Sequence, residues 1–299
     1  MLPRFDLQSH SNHSDGSLAA SEVVERAAEA GVELLALTDH DTVSGVSEAL
    51  AAGRSCAVRV VPAIEISSID DGAPAARELH ILGYGIDHTD PALADRLAEF
   101  LADREQRTLR MAAALRELGL ELDEREITAR RAQGRPIGRP HLAEAVLACD
   151  ANKPRLKAEK IDDIGSLIKA YLVPGRPAFR TRATPTVAQA VETVHDAGGV
   201  AVWAHPFWDI SLPEEVMSNI DRFLALELDG VEAFYITHTQ TQTELLAARC
   251  KALGLLSTGS ADFHGPENRL FSRFLAFDTY GLEPNLGPIA QRSSSDSSR

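Results

Sequence analysis

Short apolar runs alternating with amphipathic helical stretches constrain this 299-residue chain more than any other feature. That rhythm belongs to a parallel sheet or barrel, because each strand needs a crossover that carries the chain back before the next one begins. Arg4–Gln8 reads as the first strand. A helix follows over Ser21–Ala30, with Ser21 as its N-cap, Glu22 and Glu25 in the first turn and Gly31 as its stop. Glu33–Thr38 is the second strand, followed by a helix toward Gly53, and Arg59–Ser67 and Glu78–Tyr84 are the third and fourth. The rhythm then breaks, and from Pro91 to about Tyr171 the pattern is helical and Arg-rich. It resumes with helix Thr186–Ala197, strands Val200–Ala204 and Gly230–Phe234, helix Thr239–Leu253 and strand Leu255–Ser260. Seven strands result, one short of a regular eight-fold barrel. The expected organisation is a barrel over 1–90 and 180–290, a helical insertion over 91–179 serving as a substrate cap, and a Ser-rich disordered tail over 291–299.

Charge sharpens this division. The chain carries 30 Lys and Arg against 44 Asp and Glu, a formal charge of −14. Residues 95–182 hold 18 basic and 14 acidic side chains, a local +4, and leave −18 to the rest. A uniformly acidic protein would repel polyphosphates, whereas a basic central segment admits a small or single-stranded one. Long duplex nucleic acid is not expected as a partner. No apolar run approaches the roughly 20 residues that span a bilayer, and Met1-Leu2-Pro3-Arg4-Phe5-Asp6 lacks a signal-peptide pattern. Cys56, Cys149 and Cys250 form neither a zinc spacing nor a disulfide framework. A cytoplasmic protein without a membrane partner is expected.

Chemistry gathers at the strand ends. His10 follows strand one, His40 strand two, His205 strand five, His238 strand six and His264 strand seven. Glu65 sits late in strand three and His80 within strand four, and Asp15, Asp39 and Asp262 add carboxylates. Strand C-termini of a parallel barrel converge on one face, so residues 250 positions apart would meet in one cavity. Imidazole with carboxylate suits Zn, Mn or Fe better than a site built for Mg alone. Two such ions about 4 Å apart can activate water and neutralise a phosphoryl group.

The chain resembles the PHP (polymerase and histidinol phosphatase) family of metal-dependent phosphoesterases. The resemblance rests on Asp6-Leu7-Gln8-Ser9-His10-Ser11-Asn12-His13-Ser14-Asp15-Gly16, Thr38-Asp39-His40-Asp41-Thr42, Glu65, Glu78-Leu79-His80, Ala204-His205-Pro206 and Ser260-Ala261-Asp262-Phe263-His264-Gly265. It implies a distorted (β/α)7 barrel, in line with the seven strands. The helical insertion is similar to that of the branch acting on nucleoside 3′,5′-bisphosphates and short RNA 5′ ends. By resemblance, Asp15, His40 and His264 share one ion, Glu65 bridges, His80 and His205 serve a second, and His10 and Asp262 serve a third. The family's first motif reads His-x-His, whereas this chain has Gln8-Ser9-His10, and a neutral amide is the weaker ligand. Two or three divalent ions (Mn, Fe or Zn) are therefore expected.

The implied activity is hydrolysis of a phosphate monoester by a metal-activated hydroxide. His238 and Asp39 are the catalytic candidates, His238 as the proton donor to the leaving oxygen. Gly134-Arg135-Pro136-Ile137-Gly138-Arg139-Pro140-His141 offers a phosphate clamp through Arg139 and His141, and Arg180 and Arg182 form a second basic pair. The alternative for these arginines is a solvated basic surface. Phe207 or Trp208 is placed to meet a nucleobase, and Trp203 to pack. Competing functions are a histidinol-phosphate or other small-molecule phosphatase, and a non-catalytic nucleotide-sensing metal-binding module.

Overall fold

The computed structural model describes residues 4–73 and 77–291. Apart from Gln291, the expected tail lies outside the described residues. The chain divides into two compact units, one comprising residues up to Ala94 together with those from Thr186 onward, the other Asp95–Pro185.

In chain order the elements are β1 (Phe5–Asp6), α1 (Ala20–Glu29), β2 (Leu34–Leu37), α2 (Val46–Cys56), β3 (Arg59–Asp70), β4 (Arg77–Tyr84) and α3 (Pro91–Glu117). The helices α4 (Arg125–Ala132), α5 (Arg139–Leu147), α6 (Lys153–Ala158) and α7 (Ile164–Leu167) follow. The chain then runs through α8 (Val187–Asp196), β5 (Val200–Trp203), α9 (Pro206–Asp209), α10 (Pro213–Leu224), β6 (Gly230–Tyr235), α11 (Gln240–Leu253) and β7 (Leu256–Ser260).

The first unit is a seven-stranded sheet in sequence order, β1 to β7. It curls until Leu7 N–H donates to Gly259 O (3.1 Å) and His10 N–H to Phe263 O (2.8 Å), nearly closing a barrel. All four residues of β2 are buried, Leu34 and Ala36 in the barrel interior and Leu35 and Leu37 beneath α1 and α2. Burial on both faces is what a helix-covered strand requires. Helix α1 buries Ala20, Val23, Val24 and Ala27, a single stripe at helical spacing.

Three details depart from the sequence reading. β4 runs antiparallel to both β3 and β5, so the sheet is mixed. Only six residues separate β3 from β4, too few for the dozen or more that a parallel crossover needs. Ser21 is not the N-cap of α1. Ala19 holds that position, its N–H donating to Glu22 (2.8 Å), while Ser21 donates through its backbone and hydroxyl to Glu48 (2.9 and 2.6 Å). The β5–β6 crossover contains α10, whose buried Val216, Ile220 and Phe223 supply an apolar stripe that the sequence reading passed over.

The second unit is helical, with a core of Met111, Leu115, Leu142, Val146, Leu167 and Leu172 among others. Among the described residues, no helix is long and apolar enough to cross a membrane.

Candidate metal centre

Glu65 is the hub. It lies in the middle of β3, is fully buried, and pairs across the sheet with Leu82 of β4, while an isolated parallel bridge links it to His40 just past β2. Its Oε1 is 2.6 Å from His80 Nδ1 and 3.3 Å from His205 Nε2. Its Oε2 is 3.0 Å from His10 Nε2 and 3.6 Å from His40 Nδ1, and accepts a hydrogen bond from Gln8 Nε2 at 2.9 Å. Asp15 stands on the other side of His10, its carboxylate 3.6 Å from His10 Nδ1, 3.6 Å from His40 Nε2 and 3.5 Å from His264 Nε2. Asp262 Oδ1 lies 3.1 Å from His10 Nε2.

These side chains make three donor groups, each with its atoms within 4.8 Å of one another: His10, Asp15, His40 and His264; His40, Glu65 and His80; and His10, Glu65 and Asp262. Five imidazoles follow one another around the hub at ring separations of 4.2 Å (His10–His264), 4.7 Å (His10–His40), 4.9 Å (His40–His80) and 5.2 Å (His80–His205). They cannot all be protonated at such spacing. Burial drives His40 down to about 3, whereas His205, which burial alone would also lower, is held at about 9 by the Glu65 carboxylate.

The residues fit divalent cations on a further observation. His10 Nε2, His40 Nδ1, His80 Nδ1 and Asp262 Oδ1 are buried, crowd against opposite-polarity atoms, and have no aligned hydrogen-bond partner. Buried polar atoms left this way are costly unless an ion sits between them. His264 shows the orientation a ligand needs: its Nδ1 is 2.7 Å from Asp262 O, which leaves Nε2 as the lone-pair nitrogen facing Asp15. The third group carries a competitor, since Gln8 donates to the same Glu65 oxygen that a cation there would take.

The backbone is bent to aim these groups. His205 (φ 32°), two residues past β5, and Asp262 (φ 54°), two residues past β7, adopt the left-handed conformation that non-glycine residues avoid. Their cost is offset by the sheet around them, the pattern expected where strain serves a site.

The chain matches the PHP domain family over residues 6–132. It is 32% identical over 266 residues to a 5′-3′ exoribonuclease of Haemophilus influenzae, covering 89% of this chain and 92% of that one. The chain belongs to the PHP family. It is also 32% identical over 272 residues to a 3′,5′-nucleoside bisphosphate phosphatase of Chromobacterium violaceum, covering 89% and 88%. A solved structure from Bifidobacterium adolescentis, assigned to the metal-dependent phosphoesterases, superposes with a TM-score of 0.73 at 25% identity, covering 90% of this chain and 91% of that one.

In this PHP protein the structure brings Glu65 together with the seven other residues expected to ligate metal. Asp39 does not join them. It is buried, and its oxygens accept from Ser11 N–H (2.8 Å), Ser11 Oγ (2.6 Å) and Ser14 Oγ (2.6 Å), tying down the loop that carries His10 and Asp15. His238 is buried beside Phe207 and Tyr235, its Nδ1 on Ala233 O at 3.1 Å, and burial lowers it to about 4. The four substrate candidates belong to the second unit. His141 Nδ1 accepts from Gly138 N–H (3.0 Å) at the start of α5, where Arg139 is half-buried. Arg180 Nη1 donates to Pro177 O (3.2 Å) and Phe179 O (2.8 Å). Arg182 is buried, donating to Thr184 O (3.2 Å) and Phe100 O (3.3 Å).

Two participants escaped the sequence reading. Glu232 is fully buried on β6, accepts from His205 N–H (2.9 Å) and Ser260 Oγ (2.6 Å), and burial raises its carboxyl to about 8. Tyr235, at the end of β6, donates its hydroxyl to Asp262 Oδ2 at 2.8 Å. Its strand-end position was the available signal.

Proposed function

We propose that this PHP protein is a metal-dependent phosphoesterase that removes phosphate from nucleotides, acting on nucleoside 3′,5′-bisphosphates or the 5′ ends of short RNA. The carrying observation is the set of three donor groups interlocked through Glu65, His10 and His40, an arrangement suited to more than one divalent transition-metal ion. The names of the two relatives above, both phosphoesterases of nucleotides or RNA, support the substrate class. Mn, Fe or Zn each suit the imidazole–carboxylate donors. Bound ions would bring the pKa of water toward neutrality and draw charge off the phosphoryl oxygens.

The chain's own residues do the rest. Asp15, His40 and His264 would hold one ion, and Glu65, His80 and His205 a second. His10 and Asp262 complete the set. In the hydrolysis, a P–O bond forms to water as the bond to the leaving oxygen breaks, and the leaving oxygen takes a proton. His238 is assigned to that proton. With Nδ1 committed to the Ala233 carbonyl, the proton is handled at Nε2, and a nearby phosphate raises its affinity for one. Arg139, His141 and Arg180 are assigned to the substrate's other phosphate. The free thiols of Cys56, Cys149 and Cys250 suit a reducing cytoplasm.

The test is phosphate release from a nucleoside 3′,5′-bisphosphate and from a 5′-phosphorylated oligoribonucleotide by Mn²⁺-loaded protein, with histidinol phosphate as comparison. Release from either nucleotide substrate, abolished by chelator, supports the reading. Faster release from histidinol phosphate, or activity indifferent to chelator, overturns it.

A further inference from the structure

Two tryptophans occupy opposite environments. Trp203 is fully buried, edge-on to Phe223 at 5.1 Å. Trp208 lies in α9, three residues beyond His205, and keeps 50% of its surface exposed. Two rings brace it, Phe271 at 5.6 Å (58°) and Tyr235 at 6.4 Å (77°). Both braces lead directly to the donor groups. The Phe271 ring is 5.3 Å from His264, and Tyr235 donates to Asp262 Oδ2 and stands 5.2 Å from the His205 ring. An exposed indole held by two rings has little orientational freedom to lose on binding, and its open π-surface continues from the rim of the metal centre.

We propose that Trp208 is the platform on which the base of a nucleotide substrate stacks, making it a specificity determinant for phosphate esters that carry a nucleobase. The proposal rests on the nucleotide reading above. Stacking suits it because every base presents a π-face to an aromatic ring, giving preference for nucleotides without selecting one base. The alternative occupant, an apolar partner protein, would gain nothing from continuity with His264 and Asp262.

The decisive measurement uses zinc-loaded protein and tryptophan fluorescence. Because Trp203 is sealed in the core, an accessible quencher reports on Trp208. AMP should quench the emission and shield it from acrylamide, while ribose 5-phosphate, which lacks the base, should do neither. In kinetics, Trp208→Ala should lower the preference for a nucleoside bisphosphate over the matching base-free ribose bisphosphate, read as a ratio of kcat/KM, by roughly tenfold, the loss expected for one base–aromatic stack. Trp208→Phe should restore most of it. Equal losses on both substrates, or AMP inhibition without quenching, would overturn the platform. Should neither substrate be hydrolysed, the nucleotide reading fails on its own account, and the fluorescence titration still decides whether the indole binds a base.

Discussion

Asp39 offers the sharpest test of how this centre is held. Replacing it with alanine takes the acceptor from three buried donors, the Ser11 N–H and the Ser11 and Ser14 hydroxyls, at present satisfied at 2.6–2.8 Å, and leaves Ser14 the longer bond to Asp15 at 3.3 Å. Charge-assisted bonds of this kind contribute roughly 1.5–3 kcal/mol each and do not add fully, so Asp39→Ala should cost about 4 kcal/mol. For a chain of this size that is a fall of roughly 10 °C in Tm. Asp39→Asn preserves shape and one acceptor and should cost about half as much. Because the loop it secures carries His10 and Asp15, the asparagine variant should bind metal about tenfold more weakly, yet recover kcat to within about threefold once metal saturates. Calorimetry of the metal-free protein, a metal titration and rates at saturating Mn²⁺ provide the three readouts. An asparagine variant with wild-type Tm and full metal content, but a rate down by about a thousandfold, would refute a positioning role and return Asp39 to the reacting groups.

Other outcomes follow from particular side chains. The His238 imidazole ionises near 6.5 unfolded and near 4 folded, so between those values the unfolded chain holds the extra proton and stability falls as pH drops. Across pH 6.5 to 4, metal-free wild type should lose about 3 kcal/mol relative to His238→Asn, and parallel pH profiles of the two proteins would contradict the burial argument. The same variant should lower kcat about a hundredfold on an alkyl phosphate and far less on a nitrophenyl phosphate, whose leaving oxygen needs no proton; equal losses would remove His238 from the proton step. Gln8→His exchanges an amide donor for a ligand at the third group, and elemental analysis should find one more ion per chain than in wild type; an unchanged count would show that Gln8 is not what limits that group. Glu65→Gln keeps the volume of the hub but removes its charge, and metal content should fall by at least one ion; full occupancy would refute its bridging role.

Much of this architecture was legible in the sequence because strand and helix impose different periods. The seven strands were found within a few residues of their observed ends, and the clustering of His10, His40, His205 and His264 followed from their shared place at strand ends. The direction of β4 required attention to spacing, since six residues cannot return a chain to the same edge. The surroundings of Asp39 follow from a related rule. Neighbours in extended chain point to opposite sides, so His40 and Asp39 cannot both face Glu65, and the one that turns away meets Ser11 and Ser14. Glu232 left no signal, because its partners His205 and Ser260 are distant in sequence and only the closed barrel brings them together. How Gln8 orients its amide was likewise invisible without Glu65 and Ser260 around it.

The donors run from His10 to His264, and the bonds that complete the barrel join Leu7 to Gly259 and His10 to Phe263. During synthesis, the first donor therefore emerges long before the last exists, and no partial chain contains a whole centre. The full donor set is withheld until synthesis has passed His264. A single cut that releases the last strand would therefore take Asp262 and His264 from the finished centre.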